Sequence, residues 1–410
     1  MSAIVATAAR PLAGLDPTRQ GHFRIFVVAG EPSGDRLGGK LLKVLRQKLA
    51  GDVTFQGVGG EDMAAEGLAT LFPMTDIAVM GIGEVVRRLP QLLDRVGMTA
   101  RAALAFEPHA LVIIDSPDFT HRVARKVRAA RPAVPIIDYV SPTVWAWRPG
   151  RARVMARYVD HVLALLPFEP DVHKRLGGPP CTYVGHPIVE RLDWMRSLDT
   201  DALARKLALT PGRAVLVVLP GSRRQEVSVL MPIFGEVLRR IGPQQGPLEV
   251  IVPVVASVEE LVEAGLKTWP QRPHLVRGEE DKFSAFRLAR AALAASGTVT
   301  LELAAAGTPM VAGYLATGLT RLARPFITTP SVVLANLVLG RNIFPEFIQG
   351  DCTADNLAKA LQPVLGDGLT RQLQLKALAE IPGRMAPPAS SPSEAAARVI
   401  IDYTRQGRAA

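Results

Sequence analysis

The chain has 410 residues, 48% hydrophobic and 21% charged, a balance that excludes a disordered, collagenous or fibrous protein and points to two domains facing a cleft. Lysine and arginine number 48 against 38 acidic residues, and the resulting +10 charge suits phosphorylated substrates, an anionic membrane surface or nucleic acid. Only Cys181 and Cys352 occur, with no Cys-x-x-Cys spacing, so neither a disulfide framework nor a structural zinc site is encoded and a reducing compartment fits.

Residues 1–22 are Ala-rich, with no basic residue before Arg10 and no apolar run of signal-peptide length, and are expected to form a disordered extension. No apolar run reaches the roughly 18 to 20 residues that span a bilayer, so membrane contact is expected to be peripheral. From residue 23, short Val/Ile-rich runs alternate with helical spacing, which is α/β grammar. Phe23–Ala29, Ala110–Ile114, Pro135–Tyr139 and His161–Leu165 read as buried parallel strands, because continuous β-branched runs suit strands covered on both faces. Between the first two, Ile82, Val85, Val86, Leu89, Leu92, Leu93 and Val96 share one helical face, while Glu84, Arg87, Arg88, Gln91 and Arg95 share the other, with Pro90 expected to kink the helix. Core packing accounts for this stripe; a basic amphipathic element resting on lipid is the alternative, and Leu319–Phe326 has a similar mixture. The strand series stops near Gly185 to Pro187 and resumes with Ala214–Leu219, Leu248–Val254 and Ala291–Ala295. The expected fold class is α/β, with two doubly wound parallel-sheet domains at 23–190 and 191–380. A tail, 381–410, carries a helix expected to start at Glu394 under a Ser393 cap and to pack back on the first domain.

In open α/β sheets ligands sit beyond the carboxyl ends of the strands, which singles out four loops. Gly30-Glu31-Pro32-Ser33-Gly34-Asp35 puts small residues and free N–H groups at a helix start suited to an anion. It is not a G-x-G-x-x-G fingerprint, and an ordinary tight turn would look the same. In Asp115-Ser116-Pro117-Asp118, Ser116 is expected to cap a helix beginning at Pro117, and two carboxylates share one loop. Asp115, at the partly buried strand end, is the preferred general base, with simple capping and turn chemistry as the alternative. Ser222 and Gln225 are expected to form a capping box that directs Arg223 at whatever the helix end binds. A bidentate cation beside free N–H groups suits a diphosphate; a solvated surface arginine is the plainer reading. Ser296-Gly297-Thr298, with Glu302 one turn further along, offers a second phosphate-facing helix start and a carboxylate for ribose hydroxyls, or simply another cap. His109, His121 and His186 lack metal-ligand spacing, and Asp199-Thr200-Asp201 fits a cap, so no metal or cofactor is expected. With scattered basic residues and 5% aromatics, nucleic acid is not an expected partner.

The combination of AGEPSGD (29–35), FQGVGGEDM (55–63), MGIGEV (80–85), IDSPDF (114–119), YVSPTVWAWRPGR (139–151), LLPFEP (165–170), VGHP (184–187), LPGSR (219–223) and SGTVTLE (296–302) closely resembles the lipid-A-disaccharide synthase family. The motifs stand in the same order over residues 23–380. The resemblance implies a GT-B enzyme with two Rossmann-like domains, the N-terminal one for the acceptor and the C-terminal one for a UDP-sugar. It implies an inverting glycosyltransferase that joins UDP-2,3-diacylglucosamine to 2,3-diacylglucosamine 1-phosphate and releases UDP. It further implies peripheral attachment at the cytoplasmic leaflet of the inner membrane and allows a homodimer. Matched motif by motif, it makes Asp115, Asp118 and Arg223 catalytic residues. It makes Gly30, Glu31, Ser33, Gly34, Asp35, Ser222, Ser296, Gly297, Thr298, Glu302, Asn336, Arg341 and Glu346 substrate-binding residues. The chain departs from the usual family pattern at Leu334-Ala335-Asn336, where relatives carry Leu-Pro-Asn, and at Pro108-His109, where they often carry Pro-Asp. The alternatives are another UDP-sugar transferase or epimerase of the same architecture, and a non-catalytic UDP-sugar or lipid-binding protein.

Overall fold

In the computed structural model, which describes residues 22–77, 82–315 and 329–406, the chain builds two parallel sheets. The first holds β1 (Phe23–Ala29), β2 (Val53–Val58), β3 (Leu68–Thr70), β4 (Ala110–Ile114), β5 (Ile136–Tyr139), β6 (His161–Ala164) and β7 (Cys181–Tyr183) in the order β3-β2-β1-β4-β5-β6-β7. The second holds β8 (Val215–Leu219), β9 (Glu249–Pro253), β10 (His274–Val276), β11 (Ala291–Ala295), β12 (Met310–Tyr314) and β13 (Glu346–Ile348) in the order β10-β9-β8-β11-β12-β13. The central strands are buried along their length and covered by helices on both faces, which is why they are near-continuous apolar runs. Val27 pairs with Gly57 on one side and Val112 on the other, and Val217 pairs with Ala292, so the register is parallel throughout both centres.

In each sheet the strand order reverses once, between β1 and β4 and between β8 and β11. Ligands of doubly wound folds bind at that switch point. The four loops singled out by the sequence are the four that follow these strands.

The last helix, Pro392–Gln406, lies on the first sheet, with Ala396, Ala397 and Ile400 in the same core as Ile25, Leu41 and Ile114. Its start differs from expectation. Ser391 Oγ accepts the Glu394 N–H at 3.1 Å and Pro392 opens the helix, while Ser393 is buried; proline's fixed φ suits the first helical position. The long helix Ile82–Phe106 holds Pro90 in its interior. Leu92, Val96 and Ala100 face the core, but Leu89 and Leu93 are 41% and 46% exposed, so the apolar stripe is only partly a packing face. Residues 1–21, Met80, Gly81 and Leu319–Phe326 lie outside the described residues.

The lobes are joined by the 184–191 segment and by the returning tail. Tyr183 Oη donates to Met385 O at 2.7 Å, and Gly185, at φ 100, passes close to Pro387. Trp145 and Phe168 rest against the apolar cores of both lobes.

Candidate active site

In the N-terminal lobe the turns after β1 and β4 touch. A Cβ on Gly30 would stand 2.4 Å from Ser116 Cβ, so only glycine permits the approach. Asp115 and Ser116 adopt successive left-handed conformations, φ 53 and 46, an uncommon arrangement of the kind that concentrates at functional sites. This twist corrects the expected cap. Ser116 precedes the helix Pro117–Ala130, but its hydroxyl makes no cap bond, and Asp115 Oδ1 accepts the Ser116 N–H at 2.7 Å instead. Ser33 Oγ donates to Asp115 Oδ2 at 3.5 Å. Asp118 stands apart, 90% exposed and paired with Arg151 at 3.1 Å.

Glu31 connects the lobes electrostatically. Partial burial and the charge of Asp115 push its carboxyl above the usual range, and Arg223 of the C-terminal lobe pulls it the other way. The acidic loops of one lobe and the LPGSR arginine of the other therefore face a common cleft. Gly34 and Asp35 have a different part. Gly34 lets its helix lie against Ile114 O, where an added Cβ would stand at 3.3 Å. Buried Asp35 accepts the N–H groups of Gly60, Asp62 and Met63 at 2.7, 3.1 and 3.2 Å, so it caps the helix Glu61–Ala65 and holds the FQGVGGEDM turn rather than facing the cleft.

In the C-terminal lobe the loops after β8, β9, β10 and β11 surround a cavity of about 620 Å³, lined by Ser222, Arg223, Ser296, Gly297 and Thr298. The capping box between Ser222 and Gln225 does not form as expected. The helix Arg224–Gln245 begins after Arg223, and Glu226 reaches back instead: its Oε2 accepts the Ser222 N–H at 3.3 Å and its Oε1 accepts from Arg223 Nη1 at 2.9 Å. The Arg223 side chain is 74% exposed, so an anion in the cavity can draw it from Glu226. Thr298 precedes the helix Val299–Ala306 without capping it, and Ser296 Oγ is turned to Val332 O. Neither of these helix starts is capped by its own N-cap side chain, a trait shared with most of the described helices; what sets these two apart is that both open onto the cavity. Uncapped N–H groups with the helix dipole behind them are what a diphosphate uses.

Charged residues that the sequence did not single out complete this cavity. Lys282 Nζ donates to both oxygens of Glu302, at 3.0 and 3.1 Å. Arg277 Nε donates to Glu259 at 2.7 Å and holds that carboxyl below its ordinary range. Lys282, Arg277 and Glu259 line the same walls as Arg223. Their partners stand 18 to 20 residues away, so no local spacing marks them.

The remaining expected residues lie behind the wall. Asn336 is buried: its Oδ1 accepts the N–H groups of Ile343 and Phe344, and its Nδ2 donates to Phe344 O and Ser331 Oγ. Glu346 Oε2 accepts from Ser331 Oγ, Val332 N and Val333 N. Both shape the 331–344 segment against which Ser296 rests. Arg341 pairs with Glu380 at 2.6 Å, on the helix Leu369–Arg384, and does not line the cavity. Among the described residues, no three metal-ligating side chains converge, and Cys181 and Cys352 are free thiols.

Solved structures share the fold at low identity. The UDP-GlcNAc 2-epimerase of Neisseria meningitidis bound to UDP-GlcNAc aligns with a TM-score of 0.59 at 11% identity, covering 93% of this chain and 99% of that one. The α,α-trehalose 6-phosphate synthase of Burkholderia multivorans aligns with 0.58 at 15%, covering 94% and 96%. Sequence similarity is far closer elsewhere. The lipid-A-disaccharide synthase of Nitrobacter hamburgensis is 54% identical over 386 residues, 94% of this chain and 96% of that protein. The family model for lipid-A-disaccharide synthetase matches residues 25–390, and the chain belongs to that family.

Proposed function

We propose that the chain forms the lipid A disaccharide by a single displacement across the interlobe cleft, with Asp115 as base and Arg223 on the leaving group. Membership of the family makes it a hexosyltransferase acting on UDP-2,3-diacylglucosamine and 2,3-diacylglucosamine 1-phosphate. The observation that carries the residue assignment is the position of Glu31, which lies next to the charge of Asp115 in its own lobe and within reach of the charge of Arg223 from the opposite lobe.

The acceptor's 6-hydroxyl attacks the anomeric carbon of the donor, the bond to the diphosphate oxygen breaks, and the hydroxyl proton passes to Asp115. Ser33 orients the free oxygen of Asp115, since Oδ1 is already held by the Ser116 N–H. On the other side Arg223 and the two uncapped helix starts take the charge that develops on UDP. Glu302 accepts the ribose hydroxyls and Lys282, now bound to Glu302, turns to the phosphates. Asp118 serves the reaction through Arg151 and the shape of the acceptor loop.

The protein works as a peripheral membrane enzyme at the cytoplasmic leaflet, where its acylated substrates reside. No helix among the described residues is long and apolar enough to cross a membrane. The support for surface attachment is the exposed pair Leu89 and Leu93, one helical turn apart, together with the +10 charge. A homodimer is compatible with this attachment.

Incubating the protein with both diacylglucosamine substrates, with and without chelator, and following UDP tests the reaction. UDP release that requires acceptor, with inversion at the anomeric centre of the product, is expected in both conditions. Donor binding without acceptor-dependent release would contradict it.

A further inference from the structure

Glu169 opens the helix Glu169–Leu176 after β6, and it is buried without a paired cation among the described residues. Both its oxygens are engaged: Oε2 accepts the Leu166 N–H at 3.0 Å and Oε1 accepts the indole N–H of Trp145 at 3.1 Å. Trp145 in turn packs edge-on against Phe168, ring centres 5.5 Å apart, where both rings touch the cores of the two lobes. Leu166, in the same turn, belongs to the core of the C-terminal lobe.

The segment that carries Trp145 needs such an anchor. Val140, a β-branched residue, stands at φ 90, and Arg148 is left-handed at φ 54. Strain of this kind persists only where the surroundings over-determine the backbone. The same segment leads into the helix Gly150–Met155, which lays Arg151 on Asp118 in the acceptor loop. One carboxylate thus links the seam between the lobes to the wall of the acceptor site.

We propose that Glu169 is a positioning residue for the transfer reaction: through Trp145 it fixes the 140–151 segment at the interlobe seam and so sets the acceptor loop against the nucleotide lobe. The ionised carboxylate accepts from both donors at full strength, whereas protonation weakens the oxygen that carries the proton as an acceptor and loosens one of the two bonds. Burial pushes this carboxyl up to about 7, opposed by the Leu166 and Trp145 N–H bonds and aided by the charge of Asp138. Among the described residues, the Leu165 N–H also bonds it, and the charged or titratable groups around it are Asp138 on β5, 3.1 Å from His121, and the Cys181 thiol on β7, which burial drives up; His173, on the same helix, is 2.8 Å from Ser141 Oγ and within the influence of Asp138.

Activity and stability respond oppositely to this ionisation. The folded-state value lies above the ordinary 4.5, so the charged form burdens the fold progressively as pH rises from about 4.5 through about 7. The positioning it provides is gained as pH rises through about 7. Glu169→Gln, which offers one acceptor at every pH, is expected to lower kcat/KM by up to about fivefold at pH 8, the ceiling set by the exposed Arg151–Asp118 pair through which the segment meets the acceptor loop. It should flatten the rise in rate between about pH 6 and 8 while leaving Tm at pH 8 unchanged or higher. Trp145→Phe keeps the ring and removes the N–H; it should give a similar loss and move the midpoint of the pH profile upward, and the double variant should be no worse than either single one. A wild-type rate and profile in Glu169→Gln, a lowered Tm that accounts for its loss, or multiplying effects in the double variant would overturn the proposal. Should Glu169→Gln not fold, an unshifted profile in Trp145→Phe overturns it alone. Failure of the Asp115 assignment leaves this test readable, since the base variant loses rate at every pH.

Discussion

Under the proposed assignment, Asp115→Asn removes the basic oxygen and little else. Asparagine tolerates the left-handed φ of 53, and its carbonyl oxygen can keep the 2.7 Å bond to the Ser116 N–H, so the loop should retain its shape. What is lost is proton removal, worth about 10² to 10⁴ in rate, or about 2.7 to 5.4 kcal/mol of transition-state stabilisation. Asp118→Asn provides the contrast within the same loop. Its exposed pair with Arg151 is worth at most about 1 kcal/mol, a change of no more than about fivefold. The assay is UDP release at saturating donor and acceptor, with UDP affinity measured by calorimetry to confirm that the nucleotide lobe is untouched. Turnover of Asp115→Asn within tenfold of wild type, or an equal loss in Asp118→Asn, would refute the reasoning.

Arg223→Ala should lower kcat about 10² to 10³-fold with a stability change under about 1 kcal/mol, because the exposed Arg223–Glu226 pair contributes little to the fold; unchanged kcat would remove it from the leaving-group site. Asp35→Ala leaves three N–H groups at the start of the Glu61–Ala65 helix without their acceptor, so urea unfolding should report a loss of at least about 2 kcal/mol, and a loss below about 0.5 would show that those bonds are unimportant. Binding to anionic vesicles should weaken steeply as salt is raised past about 0.1 M, where screening extends over about 10 Å, and should weaken again in a Leu89→Ser, Leu93→Ser variant; salt-indifferent binding would remove the electrostatic part of membrane attachment.

The central strands were legible because burial on both faces leaves a continuous apolar signature. β1, β4 and β11 have the bounds their residues suggest, and β5, β6, β8 and β9 differ only at their ends. The outer strands were not, nor was the buried inner strand β12, Met310–Tyr314. β3, β7, β10 and β13 are three residues each, too short for any period to register, and β2 alternates exposed Thr54 with buried Val53 and Phe55 next to glycines. In the site, strand ends pointed to the right loops, because the switch point follows from topology alone. What the motifs could not separate is a residue that faces the cleft from one that holds a loop in place. Glu31 and Asp35 share one hexapeptide, yet Asp35 caps a neighbouring helix and Glu31 faces Arg223. Asn336 and Glu346 likewise belong to the loop behind the wall. Lys282 and Glu169 escaped notice because their partners, Glu302 and Trp145, are brought together only by the fold.

The most direct test of the account is a structure of the protein with UDP bound. The diphosphate is expected against Arg223 and the N–H groups that open the Val299–Ala306 helix, with the ribose drawing Glu302 from its bond to Lys282 and the acidic turn of Asp115 on the other lobe. UDP seated against the Gly30 to Asp35 turn, with Arg223 directed into solvent, would contradict it.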